Sequence, residues 1–488
     1  MNRQIRKLGV AMLVLYGLLF VQLNIVQVFR ADHYNRNPTN VRAVTRDYGR
    51  PRGQILSADG AVLARSVPDA GHFKRRREYP EHDLFGQLTG FFSFTFGTDG
   101  VEKTYNAELA GRSTKGSLRN LKDLLVDQEH TDDVVLTVDK RIQQVAKDAL
   151  GGRAGSVVAL DPRDGSILAM WGFPSYDPEP VSQTDQEGAK TSRALLLLDK
   201  GKPLLPRPYR ETFFPGSTFK VVTSAAGLTS GAVHPDQPVY PTETQFLPPH
   251  TTHPIKNFGG ESCGGSLFDI LRVSCNTAYA RMGVDLGADA LIGQAHKFGF
   301  GSAPPLDLPA VAASPIQDAA FFKQNIPLLA QTAIGQNTVR ATPLQMALVA
   351  AGIANGGVIM TPHVMKEVRD DQAAVVQRYK PAPWQTAVDP QTAATLRDAM
   401  VGVVQSGTAT RLAVPGVPTA GKTGTAQLGN GQSHAWIIGF APADAPRVAI
   451  AVIVEAQSGA SEATGGRIAA PIAQQVLAAA LNVVPAAP

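Results

Sequence analysis

The chain begins with a short basic segment, which a long apolar stretch follows from residue 8 to residue 28. An apolar stretch of this length can span a bilayer as a helix. A cleaved signal peptide is the alternative, but no small-residue cleavage site follows the stretch. We therefore expect an uncleaved signal anchor. Basic residues on its N-terminal side place residues 1–7 in the cytoplasm and the rest of the chain outside the membrane.

After the anchor, apolar positions occur in short runs that are typical of strands. Two such runs within residues 55–64 flank Asp59-Gly60, and this pattern predicts a β-hairpin. Residues 97–111 predict a turn followed by a short helix that ends at a glycine. None of these residues has catalytic spacing. Residues 31–140 are therefore predicted to form a separate pedestal, an interaction or spacer domain.

From residue 140 onwards the predicted elements are longer and more apolar. Residues 140–150 carry their apolar positions on one stripe, which predicts an amphipathic helix. Residues 156–170 predict a buried β-hairpin. Residues 435–455 predict two further antiparallel strands, and residues 468–481 an alanine-rich helix. We expect a second domain over residues 141–485.

An apolar, buried helix is predicted from Ser217, directly after Pro215-Gly216. Ser217 would lie near the helix N-terminus, with Lys220 on the same face. A hydroxyl is a poor nucleophile unless a nearby group takes its proton, and a neutral lysine can do so. However, Ser-x-x-Lys occurs by chance in most long chains, and a serine after Pro-Gly is usually a helix cap. The remaining sequence must supply the context.

Charge and composition exclude some functions. The chain has 488 residues, is 44% hydrophobic and carries a net charge of +5 that is spread thinly. Its densest basic run, residues 74–77, lacks interleaved aromatic residues and is interpreted as a solvated face. Nucleic-acid binding is therefore not indicated.

Cys263 and Cys275 are the two cysteines of the chain. An extracytoplasmic location permits a disulfide between them, and their proximity in sequence favours it. Two unrelated buried thiols are the alternative. Neither cysteine lies in a metal-ligand motif, so we expect no metal and no cofactor.

Two further short motifs follow the seryl stretch. Ser274-Cys275-Asn276 lies in a region that predicts a helix–loop–helix, and Lys422-Thr423-Gly424-Thr425 is predicted to head a strand. Each motif is weak alone. Together with Ser217 and Lys220 they supply a nucleophile, a base, a proton shuttle and cationic groups, which serine acyl transfer requires.

In this order the three motifs are those of penicillin-binding proteins and class A β-lactamases. The chain resembles a class B penicillin-binding protein, in particular the penicillin-binding protein A type of actinobacteria. The resemblance covers nearly the whole chain and includes further segments: Arg52-Gly53-Gln54-Ile55, Gly100-Val101-Glu102, Pro174-Ser175-Tyr176-Asp177-Pro178, Gly335-Gln336, Thr342-Pro343-Leu344-Gln345 and His434-Ala435-Trp436. It implies an α+β (α/β) penicillin-binding transpeptidase fold of the β-lactamase-like kind. In this fold an antiparallel sheet packs between helices, behind a β-rich pedestal and a transmembrane anchor.

The resemblance also implies roles for the motif residues. Ser217 would attack the penultimate D-Ala of a stem peptide that ends in D-Ala-D-Ala, with Lys220 as its base. Ser274 would relay the proton to the leaving amine, and Asn276 would bind the substrate amide and orient Lys220. Lys422 would help to keep Lys220 neutral.

The same resemblance implies where the substrate binds. The carboxylate of the substrate or of a β-lactam would lie on Thr423, Gly424 and Thr425, and the backbone N–H groups of Ser217 and Thr425 would form the oxyanion hole. A stem-peptide amine would then take the acyl group in a 4→3 cross-link. A disulfide between Cys263 and Cys275 would stiffen the loop that carries the second motif.

Class A is disfavoured because the segment between anchor and catalytic domain is too short for a glycosyltransferase. The implied partners are the bacterial inner membrane and a membrane-embedded glycan polymerase of the shape, elongation, division and sporulation family. Three alternatives remain open: a β-lactamase, a D,D-carboxypeptidase, and a catalytically silent scaffold for division or elongation.

Four other sites are interpreted as structural rather than catalytic. His434 is expected to pack at a strand edge, and Glu455 to be solvated at the end of a strand. Gly335-Gln336 and Thr342-Pro343 are expected to shape the back of the site.

Overall fold

The computed structural model describes residues 2–26, 48–112, 130–428, 431–458 and 465–486. The β-strands in the described part of the chain are β1 Ile55–Leu56, β2 Val62–Pro68, β3 Arg75–Glu78, β4 Phe92–Ser93, β5 Gly97–Thr98, β6 Asp133–Leu136, β7 Gly155–Leu160, β8 Ile167–Phe173, β9 Tyr240–Glu243, β10 Gln245–Phe246, β11 Ile255–Lys256, β12 Cys263–Gly265, β13 Val358–Met360, β14 Met365–Arg369, β15 Val375–Arg378, β16 Pro383–Thr386, β17 Ala420–Gln427, β18 Gln432–Ala441 and β19 Val448–Ser458.

The α-helices in the described part of the chain are α1 Asn2–Asn24, α2 Gly86–Thr89, α3 Gly100–Thr104, α4 Asn106–Leu109, α5 Lys140–Leu150, α6 Glu179–Ser182, α7 Gln186–Leu198, α8 Arg207–Arg210, α9 Lys220–Thr229, α10 Leu267–Arg272, α11 Asn276–Lys297, α12 Ala319–Lys323, α13 Ile326–Ala333, α14 Pro343–Ala354, α15 Pro390–Ser406 and α16 Ala470–Leu481.

Helix α1 is long and apolar enough to cross a membrane, and it is the only such helix among the described residues. The most apolar part of α1 has no residue buried inside the protein. Residues 27 and 28, the end of the predicted anchor, lie outside the described residues, as do residues 31–47 and 113–129 of the predicted pedestal.

The pedestal contains a six-stranded sheet with the strand order β15-β14-β6-β1-β2-β3. Strands β1 and β2 form the hairpin predicted around Asp59-Gly60. Strands β14 and β15 come from beyond residue 360, and β14 pairs antiparallel with β6. A boundary drawn at residue 140 therefore crosses a sheet to which both parts of the chain contribute.

A buried cluster of charged groups closes this sheet against α3. The Glu102 carboxylate is fully buried; it accepts hydrogen bonds from Arg52 Nε at 2.7 Å and from Arg77 Nε at 2.6 Å. Burial by itself would raise the pKa of Glu102, but the charges of Arg52 and Arg77 hold it below its usual value. The interpretation of residues 74–77 as a solvated face is wrong for Arg77, whose side chain is 1% exposed. Its guanidinium faces inward because β3 turns this position toward Glu102.

The second part of the chain contains a five-stranded antiparallel sheet with the order β17-β18-β19-β7-β8. Nearly every residue of β7, β8 and β18 is buried, so both faces of the sheet are covered. Helices α5 and α16 pack together and against this sheet, and α14 packs against β7, β18 and β19. The α+β fold with an antiparallel sheet between helices is confirmed.

A layer of helices beside β17 carries two of the three motifs. Helix α9 packs against α11 and α15, and the turn that precedes α9 packs against β17. Because α9, α11 and β17 meet here, the motifs at Ser217, Ser274 and Lys422 lie close together in the folded chain although they are far apart in sequence.

Candidate active site

Ser217 lies in a 3₁₀ turn, Gly216–Phe219, that leads into α9 at Lys220. The sequence predicted one continuous helix from Ser217, whereas the structure has this tighter turn first. In a 3₁₀ turn the side chains at i and i+3 lie directly above one another. Ser217 and Lys220 therefore share a face more closely than α-helical spacing would allow. Both are buried, at 4% and 0% exposed.

The Nζ atom of Lys220 contacts both ends of the second motif. Lys220 Nζ donates to the backbone oxygen of Ser274 at 2.7 Å and to Asn276 Oδ1 at 2.7 Å. It also lies 5.5 Å from the centre of the Tyr279 ring. Asn276 in turn donates from Nδ2 to the backbone oxygen of Lys256 at 3.1 Å. These contacts fix the Lys220 amine and the Asn276 amide relative to one another.

Ser274 lies between two amines. Its Oγ is 3.2 Å from Lys220 Nζ and 2.8 Å from Lys422 Nζ. The backbone of Ser274 is left-handed, with φ of 61°, which is uncommon for a residue that is not glycine. Such conformations persist where the surroundings hold them, and they cluster at functional sites. A hydroxyl in this position can pass a proton from one amine toward a bound substrate.

The third motif lies inside β17 rather than at its head, because the strand already begins at Ala420. Lys422 is fully buried, and its Nζ also donates to the backbone oxygen of Thr423 at 2.9 Å. The Thr423 hydroxyl is hydrogen-bonded to the Thr408 hydroxyl at 2.6 Å. β17 is the terminal strand of its sheet, and Thr425 lines the same cleft as Ser217. The free edge of β17 therefore faces the active site.

Two glycines allow the seryl turn to lie against its neighbours. Gly216 has φ of 54°, and its N–H donates to the backbone oxygen of Gly335 at 2.9 Å. Gly335 has φ of 76°, and a Cβ at this position would lie 1.9 Å from the Gly216 oxygen. Gly335 therefore packs directly against the seryl turn, whereas Gln336, which was expected at the back of the site with it, lines the cleft beside Ser217.

A cleft of 720 Å³ opens above Ser217. Its lining includes three of the predicted residues, Ser217, Asn276 and Thr425. It also includes polar residues that were not among the predicted site residues: Lys256, Asn257, Gln331, Gln336, Asn337 and Gln427. Only Gln336 belonged to a segment that the resemblance had singled out. Among the residues that the structure describes, no cluster of His, Cys, Asp or Glu could hold a metal ion.

Asn257 has a structural role in the site that no motif in the sequence predicted. Its Nδ2 donates to the backbone oxygen of Glu243 at 2.7 Å, and its Oδ1 accepts from the N–H of Thr277 at 3.0 Å. It therefore ties the loop after β11 to the first turn of α11, next to Asn276. An isolated asparagine in a loop gives no spacing from which this could have been predicted.

Cys263 and Cys275 are joined by a disulfide, with Cα atoms 5.8 Å apart. The bridge ties β12 to the residue between Ser274 and Asn276. It thus restrains the loop that positions both side chains.

We expect the Cys263→Ser variant to be acylated by benzylpenicillin several-fold more slowly than the unchanged protein. The reason is that the Ser274–Asn276 loop loses its covalent restraint while the motif residues remain. The rate is measured from the intact mass of the protein over time, with and without a reducing agent. Ser262→Ala, one residue earlier in the chain, is the matched control. Equal acylation rates for oxidised, reduced and Cys263→Ser protein would contradict this prediction.

His434 was expected to have a packing role rather than a catalytic one, and its contacts agree with this expectation. The His434 ring packs edge-on against Phe213 at 5.2 Å, and its Nδ1 accepts from the N–H of Ala456. Burial, with a smaller contribution from the charge of Arg340, lowers the pKa of His434 to about 4. The ring is therefore neutral near pH 7.

The expectation that Glu455 is solvated is wrong. Its carboxylate is 16% exposed and accepts from Arg207 Nε at 2.9 Å. Burial raises the pKa of Glu455, and the charge of Arg207 opposes this shift only in part. The glutamate is drawn inward because α8 places a buried arginine against the end of β19.

Comparisons with known proteins agree with this geometry. The family model of the penicillin binding protein transpeptidase domain matches residues 155–478. The model of the penicillin binding protein A dimerisation domain matches residues 52–135. Similar curated proteins include the peptidoglycan D,D-transpeptidase PbpA of Mycolicibacterium smegmatis, 40% identical over 99% of both chains. They also include PbpA of Mycobacterium tuberculosis, 38% identical over 99% of both chains.

Solved structures of similar proteins include penicillin-binding protein A from M. tuberculosis as acyl-enzyme complexes. The ceftriaxone complex superposes with a TM-score of 0.83 at 37% identity, covering 90% of this chain and all of that one. The penicillin G complex gives 0.81 at 36% identity, covering 88% and 100%. The motifs, the fold and the full-length similarity agree, and the chain belongs to the penicillin-binding protein transpeptidase family.

Proposed function

We propose that this protein is a class B peptidoglycan D,D-transpeptidase that cross-links stem peptides through a seryl acyl-enzyme and is acylated by β-lactams. The observation that carries the proposal is the position of Ser274 Oγ, between Lys220 Nζ at 3.2 Å and Lys422 Nζ at 2.8 Å, beside a cleft lined by Ser217. This arrangement joins a base and a proton relay in one buried network, and the nucleophile lies three residues before the base on the 3₁₀ turn.

In the acylation step, Ser217 Oγ attacks the carbonyl carbon of the penultimate D-Ala and gives its proton to neutral Lys220. Burial and the nearby Lys422 ammonium both disfavour charge on Lys220. The bond to the terminal D-Ala nitrogen then breaks, and that nitrogen takes the proton through Ser274. The products are an ester on Ser217 and free D-Ala.

In the second step, the amine of another stem peptide attacks the ester carbonyl. The new C–N bond forms, the bond to Ser217 Oγ breaks, and the amine proton returns to Ser217 through the same relay. Asn276, which is held by Lys220 and Lys256, binds the amide of the donor peptide.

The strand β17 supplies the groups for negative charge. The carboxylate of the donor peptide or the β-lactam lies against Thr423, Gly424 and Thr425, close to Lys422. The backbone N–H groups of Ser217 and Thr425 receive the oxyanion. Preorganised donors of this kind contribute roughly 10²–10³-fold to the rate per donor.

For the organisation of the whole chain, we propose a cytoplasmic tail (1–7), a single membrane-spanning anchor (8–28), a pedestal (31–140) and a transpeptidase domain (141–485) outside the membrane. The length and apolar composition of α1 support the anchor. A membrane-embedded glycan polymerase of the shape, elongation, division and sporulation family would supply the glycan strand.

A β-lactamase on the same fold is the second candidate. Such an enzyme must activate a water molecule against its acyl-enzyme, usually with a carboxylate. Among the described residues that line the cleft, none is Asp or Glu. This favours a slowly hydrolysed acyl-enzyme and therefore a transpeptidase.

The test is the intact mass of the detergent-solubilised full chain, followed for hours after addition of benzylpenicillin. We expect an adduct of one whole penicillin that persists, and no adduct on Ser217→Ala. An adduct that disappears within seconds while the drug is consumed would identify a lactamase. Absence of any adduct would favour the catalytically silent scaffold.

A further inference from the structure

Among the described residues that line the cleft above Ser217, Lys256 carries the only charged side chain. The other polar groups of this lining are hydroxyls and six carboxamides, and none of the described lining residues is Asp or Glu. The charge of the cleft lining is therefore positive. The proposed reaction uses the backbone oxygen of Lys256 but gives no role to its side chain.

Strand geometry turns this side chain away from the protein core. Lys256 ends β11, where it pairs with Gln245 of β10. Its neighbour Ile255 is buried and packs in one apolar cluster with Phe246. Because successive residues of a strand point to opposite faces, the Lys256 side chain points away from this cluster, and it is exposed.

Within the described part of the chain, Lys256 forms no ion pair with a carboxylate. Two acidic residues close to it in sequence are directed elsewhere. Glu243 forms an ion pair with Arg281 at 3.1 Å. Glu261 lines a second cavity but not the cleft. An exposed cation at the rim of a binding cleft, without a protein anion, suits an anionic group of the substrate.

Asn276 places the donor peptide next to Lys256. Its Nδ2 carries two hydrogens, and it donates one of them to the backbone oxygen of Lys256 at 3.1 Å. The other can be donated to the carbonyl oxygen of the donor amide that Asn276 binds. This carbonyl belongs to the residue before the penultimate D-Ala. Two oxygens bound by one NH₂ group lie about 5 Å apart, so this donor residue lies beside Lys256.

The terminal carboxylate of the donor is a different group and lies elsewhere. It is held on β17 close to Lys422, and the scissile carbonyl lies at Ser217. From there the donor chain runs back past Asn276, and the residue before the penultimate D-Ala is the first that reaches Lys256. The two cations therefore serve different ends of the bound donor.

We propose that Lys256 is a specificity-determining residue for the donor and binds a carboxylate carried by the residue that precedes the penultimate D-Ala. This inference rests on the proposed transpeptidase function. A hydrogen bond between an ammonium group and a carboxylate is charge-assisted, and the flexible stem of lysine lets its charge reach a carboxylate some distance from the backbone. A donor in which this carboxylate is converted to an amide is therefore expected to be a poorer substrate.

The experiment compares three penicillins on the detergent-solubilised full chain. Benzylpenicillin, carbenicillin and ampicillin share the bicyclic nucleus, a phenyl group and a side-chain amide that takes the place of the donor amide. The carbon next to that amide carbonyl also carries a hydrogen, a carboxylate or an amine, respectively. It corresponds to the α-carbon of the donor residue beside Lys256. The second-order rate of acylation of Ser217 is measured by intact mass at several drug concentrations.

The quantity that tests the inference is the ratio of the carbenicillin rate to the benzylpenicillin rate, because differences in drug reactivity cancel between variants. We expect Lys256→Gln to lower this ratio about five-fold, the effect of one charge-assisted hydrogen bond at an exposed site. Lys256→Glu should lower it further and favour ampicillin, whereas Lys256→Arg should keep it. The matched control is Lys297→Gln, which removes an exposed lysine at the opposite end of α11 from Asn276 and should leave the ratio unaltered.

An unaltered ratio in both Lys256→Gln and Lys256→Glu would overturn the role of Lys256. Acylation of the same variants by benzylpenicillin shows that their active site is folded, so this result is not caused by unfolding. If the unchanged protein is acylated by none of the three penicillins, the transpeptidase function itself fails, and the inference fails with it. The acyl-enzyme mass of the unchanged protein distinguishes the two results.

Discussion

Lys220→Met is expected to lower the rate of acylation by benzylpenicillin by about 10²–10⁴-fold, the usual contribution of a positioned general base. Methionine fills a similar volume and adapts to its surroundings, but it cannot accept the Ser217 proton. It also removes the hydrogen bonds to Ser274 and Asn276. The measurement is the rise of the acyl-enzyme mass with time at several drug concentrations.

The control for this variant is Lys323→Met, which removes an exposed lysine from α12. It should be acylated at the rate of the unchanged protein. A thermal unfolding curve for each variant separates loss of the base from loss of the fold. If folded Lys220→Met is acylated within ten-fold of the normal rate, Lys220 is not the base.

Glu102→Gln is expected to lower the free energy of unfolding of the pedestal by about 3–5 kcal/mol. Arg52 and Arg77 are buried around this carboxylate, and the neutral amide leaves their charges uncompensated. The loss is read from denaturant unfolding of the full chain. Glu187→Gln is the matched control, because its ion pair with Lys190 is exposed and such pairs contribute at most about 1 kcal/mol. Equal losses in the two variants would contradict a structural role for the cluster.

The same cluster gives the pedestal an acid-sensitive component of stability. The folded-state pKa of Glu102 lies below the ordinary value of 4.5. A lowered pKa contributes stability that is complete above pH 4.5 and is lost as the pH falls through the folded-state value. Glu102→Gln should lack this component, so its stability should depend less on pH in acid.

Much of the fold could be predicted because short stretches of sequence specify many of its helices and strands. The hairpin at residues 55–64, the helix at 140–150 and the strands at 435–455 all occur close to their predicted positions. Each of these elements is specified by hydrophobic periodicity or by turn residues within a short stretch of sequence, without contributions from distant residues. Strand β14, by contrast, joins a sheet begun 300 residues earlier, and no local signal specifies that pairing.

The side chains that the sequence misread share one cause. Arg77 in a basic run and Glu455 at the end of an apolar strand were both predicted to be solvated, yet each has a partner of opposite charge from a distant segment. Burial of a charge is favourable only with such a partner. A short stretch of sequence around the charged residue does not contain its partner. The stretch therefore predicts that the charged side chain is exposed to solvent.

The sequence by itself determined the membrane-spanning length of α1, the class of fold and the three motifs that carry acyl-transfer chemistry, because these depend on residue type, spacing and order. The tertiary structure decided the rest. It alone brings Ser274 between Lys220 and Lys422 and packs the seryl turn against Gly335. The physical reason is that hydrogen bonds and charges act over a few ångströms, and only the folded chain brings such distant residues that close.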